Sequence, residues 1–173
     1  TFGTSETGIL KTISKSSNSL WFKILGEHKI VDKELYIRSE NNISGYVNHD
    51  NFNFEVDGWY KTGDLVEISD DGYIKIIGRK NKIINVGGLK VLPNEVEELI
   101  NSLDEVIDSS VFAEKNRIIG NIVCVKIYTK STNKKSLKIK IKSLCKEKLD
   151  KYKVPLKYFF EDLKISNRGK KMV

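Results

Sequence analysis

Three short segments hold residue types that can do chemistry together. The first is Phe2-Gly3-Thr4-Ser5-Glu6-Thr7-Gly8. An aromatic ring, a flexible glycine, hydroxyls and one carboxylate in seven residues suit a nucleotide pocket. The ring would stack on a base, a hydroxyl would reach a phosphate, and the carboxylate would hold Mg²⁺, a hard cation that prefers oxygen. Taken alone, the same composition also makes an ordinary polar loop. The second segment is Gly58-Trp59-Tyr60-Lys61-Thr62-Gly63-Asp64. An aspartate after a glycine can offer its two oxygens to neighbouring hydroxyls, as on a ribose, or can close an Asx turn on its own backbone. The third is Gly78-Arg79 followed by Gly87-Gly88, with Glu95 and Glu97 beyond. Arg79 can bind a sugar hydroxyl or a phosphate, or stand on the surface before a hairpin. His28 and His49 have no partner cluster and read as surface or turn residues. Trp59 and Tyr152 read as packing residues.

The elements that must position these segments are legible in outline. Residues 1–78 are rich in Gly, Asn and Ser, with short strand-like pieces at Leu35–Arg38 and Tyr73–Ile77. Turns are expected at Asp57-Gly58, Gly63-Asp64 and Asp71-Gly72. Ile83–Val86 and Leu89–Leu92 flank Gly87-Gly88, a hairpin pattern. Pro93 opens a helix as a first-turn residue, with Glu95, Glu97 and Glu98 at its positive end. Val96, Leu99, Ile100 and Leu103 give that helix one buried face. Val106–Ala113 and Ile118–Tyr128 read as strands joined by a polar turn at Glu114–Arg117. Ser136–Asp150 carries both patterns. Leu137, Ile139 and Ile141 alternate with lysines, while Leu137, Ile141, Leu144, Cys145 and Leu149 form a helical stripe, and the length favours the helix. Pro155, the apolar run Tyr158–Phe160 and a polar loop at Ser166–Lys171 follow. The order from residue 83 is hairpin, helix, two strands, helix, strand: a small α+β unit with helices packed on a sheet.

Composition narrows the class. The chain has 173 residues, enough for one domain or one and a half, with 39% hydrophobic and 31% charged residues. That apolar content excludes a disordered polymer. No apolar run reaches 18 residues, so no membrane span is expected. The polar opening Thr1–Leu10, with Glu6, is unlike a secretory leader. Cys124 and Cys145 sit in apolar-patterned segments and fit reduced core residues of a cytoplasmic protein. The formal charge is +7, and residues 130–153 hold ten lysines against Glu147 and Asp150. Such a run is most simply a solvated helix face, or else a contact for an acidic partner or nucleic acid.

In this order and spacing the three segments resemble the adenylate-forming superfamily: acyl- and aryl-CoA synthetases, luciferases and the adenylation domains of peptide synthetases. The family's aromatic-Gly-x-Thr-Glu motif is matched by Phe2-Gly3-Thr4-Ser5-Glu6, with Ser5 in place of Thr. Its Gly-Trp-x-x-Thr-Gly-Asp motif is matched at Gly58–Asp64. Its Gly-Arg-x-x-x-x-Ile-x-x-x-Gly and Pro-x-Glu-(Ile/Val)-Glu motifs are matched by Gly78-Arg79, Ile84, Gly88 and Pro93-Asn94-Glu95-Val96-Glu97, with every interval kept. Gly169-Lys170 matches the Gly-Lys of the family's terminal loop. Asn81 stands where Asp or Lys is usual, Lys90 where Arg or Gln is usual, and Val173 where Arg is frequent. The Ser/Thr/Gly-rich phosphate loop that the family carries upstream has no counterpart in these 173 residues.

The resemblance implies the C-terminal portion of an ATP-dependent ligase that makes an acyl adenylate from a small carboxylic acid and hands it to a thiol of CoA or carrier-protein pantetheine. Residues 1–79 would end a large, β-rich, barrel-like domain, 80–81 would form a hinge about Asn81, and 82–173 would be a mobile α+β lid. Phe2 would line the adenine, Gly3 would belong to the same cofactor-binding segment, Ser5 would touch phosphate, and Glu6 would hold Mg²⁺. Asp64 would grip the ribose hydroxyls of ATP or AMP with Arg79 beside them, Lys170 would bridge the acid and the α-phosphate, and Gly87 and Gly88 would line the thiol tunnel. Two other readings stand beside this one: a non-catalytic adenylation-like module that binds a partner, and a basic nucleic-acid-binding protein. The second lacks the aromatic and glycine signatures of the common RNA modules, so no specific nucleic acid is expected.

Overall fold

The computed structural model describes residues 2–4, 8–17, 19–38 and 57–161. Ser5, Glu6, His49, Gly169, Lys170 and Val173 therefore lie outside the described residues. The fold is mixed α+β and rich in sheet. The chain divides into two compact units, residues 1–81 and 82–173.

The first unit is built from strands. In chain order they are β1 (Phe2–Thr4), β2 (Gly8–Leu10), β3 (Thr12–Ser14), β4 (Phe22–Ile24), β5 (Glu27–Val31), β6 (Glu34–Arg38), β7 (Tyr60–Ile68) and β8 (Ile74–Arg79). β1 and β2 pair as a separate antiparallel ribbon, while the rest form an antiparallel sheet in the order β3-β4-β8-β7-β6-β5. Ile24, Leu35, Ile37, Val66 and Ile74 make the core, with Phe2, Leu10, Phe22, Ile30 and Ile76 packed on it. The β5–β6 hairpin turns through Asp32 and Lys33, both at positive φ (51° and 66°), a conformation usually left to glycine or asparagine. The Asp71-Gly72 turn joins β7 to β8, where Gly72 (φ 76°) donates its N–H to the Ser69 carbonyl at 2.9 Å. Gly63-Asp64 corrects the expectation: these residues lie inside β7 and make no chain reversal.

The second unit opens with β9 (Ile84–Val86) and β10 (Leu89–Val91), then α1 (Pro93–Asn101), β11 (Val106–Asn116), β12 (Gly120–Thr129), α2 (Lys134–Lys148) and β13 (Lys157–Glu161). β11 and β12 are antiparallel, and β13 returns parallel to β12 after the α2 crossover. Val96 and Ile100 of α1 and Leu137, Ile141 and Cys145 of α2 join Val111, Val123, Val125 and Ile127 of the sheet in one core. Pro93 starts α1 where a helix needs no N–H donor. Asn133 caps α2 by accepting the Ser136 N–H at 3.0 Å, and Lys146 and Lys148 complement the negative end. The polar turn between β11 and β12 sits later than expected, at residues 117–119. Glu114 is still paired across the ladder with Ile122, whereas Asn116 accepts the N–H groups of Ile118 and Ile119 and Gly120 takes φ 82°. Both cysteines are free and buried. No described helix is long and apolar enough to cross a membrane.

Candidate functional site

The site in the first unit begins with a defect in β7. Glu34 faces Leu65 and Tyr36 faces Lys61, so the β7 chain between Lys61 and Leu65 is longer than its partner requires. Residues Thr62, Gly63 and Asp64 absorb the excess as a bulge, and Gly63 takes φ 73°, which a side chain would resist. Thr62 stabilises the bulge from within. Its buried hydroxyl donates to the Leu35 carbonyl at 2.8 Å and accepts the Asp64 N–H at 3.0 Å. The bulge re-aims Asp64 toward β8, where it lies opposite Arg79.

Asp64 and Arg79 form an ion pair, with Arg79 Nε 2.7 Å from Asp64 Oδ1. A second guanidinium nitrogen of Arg79 donates to the Thr62 carbonyl at 2.8 Å. The Asp64 side chain is 5% exposed and that of Arg79 51%. Burial pushes the Asp64 carboxyl above its ordinary value, and the Arg79 charge pulls it back. A cavity of about 520 Å³ opens beside the pair, lined by Tyr60, Thr62, Gly63, Arg79, Lys80 and Asn81 among others. Arg79 lines the cavity, whereas Asp64 is not part of its lining.

Glu34 and Lys80 complete the wall and were not singled out from the sequence. The Glu34 side chain is 6% exposed, and Lys80 Nζ sits 2.6 Å from its Oε2. The hydrogen bond to Glu34 holds the Lys80 ammonium above the usual lysine range. The one sequence hint was an acidic residue opening an apolar strand, since the partners are 46 residues apart. Asn81 lies in the 3₁₀ turn Lys80–Lys82 and is the last residue of the first unit.

Phe2 and Gly3 are on β1. The Phe2 ring stacks on Phe22 with centroids 5.7 Å apart, and a Cβ on Gly3 would fall 2.9 Å from the Gly8 carbonyl. Both residues thus have a packing reason for their identity within this unit. In the second unit, Gly87 and Gly88 form the two-residue turn between β9 and β10, with φ of 58° and 88°. This is the type I′ geometry, which glycine adopts without strain. Asn85 accepts the Gly88 N–H at 2.9 Å, and the tip stands open, with no atom within 4 Å of a Cβ added at either glycine. Glu95 and Glu97 serve the fold: Glu95 pairs with Lys153, and Glu97 accepts the Val111 N–H at 2.6 Å. Among the described residues no group of three His, Cys, Asp or Glu side chains could hold a metal ion.

A 32% identity over 140 residues links the chain to a long-chain-fatty-acid–CoA ligase of Yersinia pestis, covering 79% of this chain and 25% of that protein. The chain is homologous to part of the adenylate-forming ligases. The fold agrees. The crystal structure of the anthranilate CoA ligase AuaEII in complex with anthranoyl-AMP superposes with a TM-score of 0.72 at 24% identity, over 86% of this chain and 32% of that one. The ATP-bound RpMatB-BxBclM chimera B1 gives 0.69 at 26% identity, over 91% and 31%. The chain spans about a quarter of the length of the curated ligases it matches. No family model matches it.

Proposed function

We propose that the chain is the C-terminal portion of an ATP-dependent acid–thiol ligase, which activates a carboxylic acid as an acyl adenylate and transfers it to CoA or a carrier-protein pantetheine. The observation that carries this reading is the β7 bulge, which sets the buried Asp64 carboxylate against the half-exposed Arg79 guanidinium, itself part of a cavity wall. Homology to CoA ligases and a fold shared with an enzyme that holds anthranoyl-AMP support it. In this reading residues 1–79 end the large adenylation domain, 80–81 form the hinge, and 82–173 are the lid.

The chemistry joins two anions. The acid's carboxylate oxygen attacks the α-phosphorus of ATP, and pyrophosphate leaves. The thiol sulfur then attacks the acyl carbon, and AMP leaves. Positioning and positive charge dominate the first step. Arg79 meets the nucleotide first. Its movement off Asp64 frees the carboxylate to accept both ribose hydroxyls, and replaces one strong partner of that buried anion with two. Phe2 and Gly3 border the adenine, Ser5 contacts phosphate, and Lys170 bridges the attacking acid and the α-phosphate. Glu6 supplies one hard oxygen donor suited to Mg²⁺, which would neutralise phosphate charge. The open Gly87-Gly88 tip, with no Cβ in the way, lines the path of the thiol once the lid rotates about Asn81.

The test is acid-dependent ATP–pyrophosphate exchange by the full-length protein over a panel of carboxylic acids. Exchange with one class of acid, lost in Asp64→Ala, is the expected result. Folded full-length protein that exchanges with no acid would overturn the proposal. The 173 residues alone should be inactive, because they lack the phosphate loop; acyl-AMP formation by them alone would refute the assignment to a portion.

A further inference from the structure

The chain's largest surplus of positive charge lies in one segment. Residues 130–153 carry ten lysines and two acids, a surplus of eight, whereas the whole chain has a surplus of seven. The rest of the chain sums to a net charge of −1, although Lys75, Arg79, Lys80, Lys82 and Lys90 make a shorter basic stretch of their own. A general preference for lysine over arginine would act everywhere and would not leave one helix with seven lysines against a single acid.

On α2 the buried stripe is Leu137, Ile141 and Cys145. The opposite face carries Lys135, Ile139, Lys142 and Lys146, at spacings i, i+4, i+7 and i+11, a straight row about 16 Å long. Lys140 pairs with Glu105, Lys148 with Glu147, and Lys138 lies over the Tyr158 ring, so these are engaged off the row. Among the described residues Lys135, Lys142 and Lys146 have no ion-pair partner. Ile139, in the middle of the row, is 71% exposed.

We propose that this row is a docking surface for an anionic membrane. Three unpaired ammonium groups on a convex helix face can all touch an extended plane of negative headgroups at once, each adding attraction near the surface. Ile139 decides among anionic partners. A headgroup layer can take up an isoleucine side chain between the lysines, whereas a phosphate backbone would leave it in water. The row also lacks the arginine forks and exposed aromatic rings that reward binding to nucleic acid. The helix would lie on the membrane with its inner stripe still packed in the protein core, and nothing would cross.

The test is sedimentation of the full chain with sucrose-loaded vesicles of phosphatidylcholine alone or with 30 mol% phosphatidylglycerol, at about 0.1 M and 0.5 M salt. Binding should appear only on the anionic vesicles and vanish at high salt. Lys135→Gln, Lys142→Gln and Lys146→Gln together should lower the partition coefficient about a hundredfold, at roughly fivefold per lysine. Ile139→Ser should lower it several-fold without changing the salt response. The triple control Lys11→Gln, Lys33→Gln, Lys90→Gln removes the same charge elsewhere and should bind like the parent. Equal binding to neutral vesicles, an unaffected row variant, or an equally weakened control variant would overturn the proposal. So would tighter binding to duplex RNA or to polyglutamate than to anionic vesicles at equal charge concentration.

Discussion

Thr62→Val tests whether the bulge depends on one hydroxyl. The valine matches threonine in shape but removes two interactions at once. The Leu35 carbonyl and the Asp64 N–H both lose their partner at a position shut off from water. Each unsatisfied buried group costs about 1–3 kcal/mol, so the pair costs about 2–6 kcal/mol. The added methyl returns about 0.8 kcal/mol of apolar burial. The expected net loss is about 1–5 kcal/mol, centred near 3 kcal/mol. Thr62→Ser keeps the hydroxyl and loses only a methyl group, for about 1 kcal/mol. Both tryptophans, Trp21 and Trp59, belong to the first unit, so urea unfolding followed by their fluorescence reports on that unit. With a slope near 2 kcal/mol per molar, the centre of that range puts the valine variant's midpoint about 1.5 M below the parent's, and the serine variant's about 0.5 M below. If the two variants unfolded within 0.3 M of each other, about 0.6 kcal/mol at that slope, the hydroxyl would not hold the bulge, and the account of how Asp64 is aimed would fail.

Three further outcomes are expected. Burial pushes the Cys145 thiol up to about 11 from an ordinary 9.0, so the native state holds its proton more tightly than the unfolded chain. That contribution is fully present below pH 9 and is lost as pH rises toward 11. Cys145→Ala lacks it, so the stability gap between parent and variant should be constant to pH 9 and shrink by about 1 kcal/mol by pH 10 in urea titrations. In the full-length protein, Lys170→Ala should suppress adenylation while sparing thiol capture of a supplied acyl adenylate, because the second step has no charge developing at phosphorus. Equal loss in both half-reactions would point to another residue, and Lys171→Ala run beside it checks the register. Asn81→Pro fixes φ near −65° and removes an N–H at the junction of the two units. It should leave acyl-adenylate formation near normal and abolish thioester formation, and two intact half-reactions would move the hinge elsewhere.

Much of the second unit could be read residue by residue because its signals are local. Gly87-Gly88 between β-branched runs implies a tight hairpin, and the φ values demanded there are ones only glycine takes freely. Pro93 opens α1. The lysine-rich segment was ambiguous between periods of two and 3.6. The helix won because Leu137, Ile141 and Cys145 reach one core while Asn133 caps the start. The first unit was less legible. The β5–β6 turn uses Asp32-Lys33 instead of a glycine pair, so no hairpin signal marks it.

The candidate site divides the same way. Motif order and spacing in the chain nominate Asp64, Arg79, Gly87 and Gly88 as candidates, and the structure pairs the first two and sets the glycines at a hairpin tip. The tertiary structure alone decided how Asp64 is presented. A Gly-Asp dipeptide looks like a turn when only its neighbours are considered. Here the hydrogen bonds of β6 and β8 hold both its flanks in strand, and the surplus residues can only bulge. The Glu34–Lys80 pair was invisible for a related reason. Its energy comes from burying one carboxylate beside one ammonium, and residues 46 apart acquire that relation only when β6 and the end of β8 are brought to the same cavity.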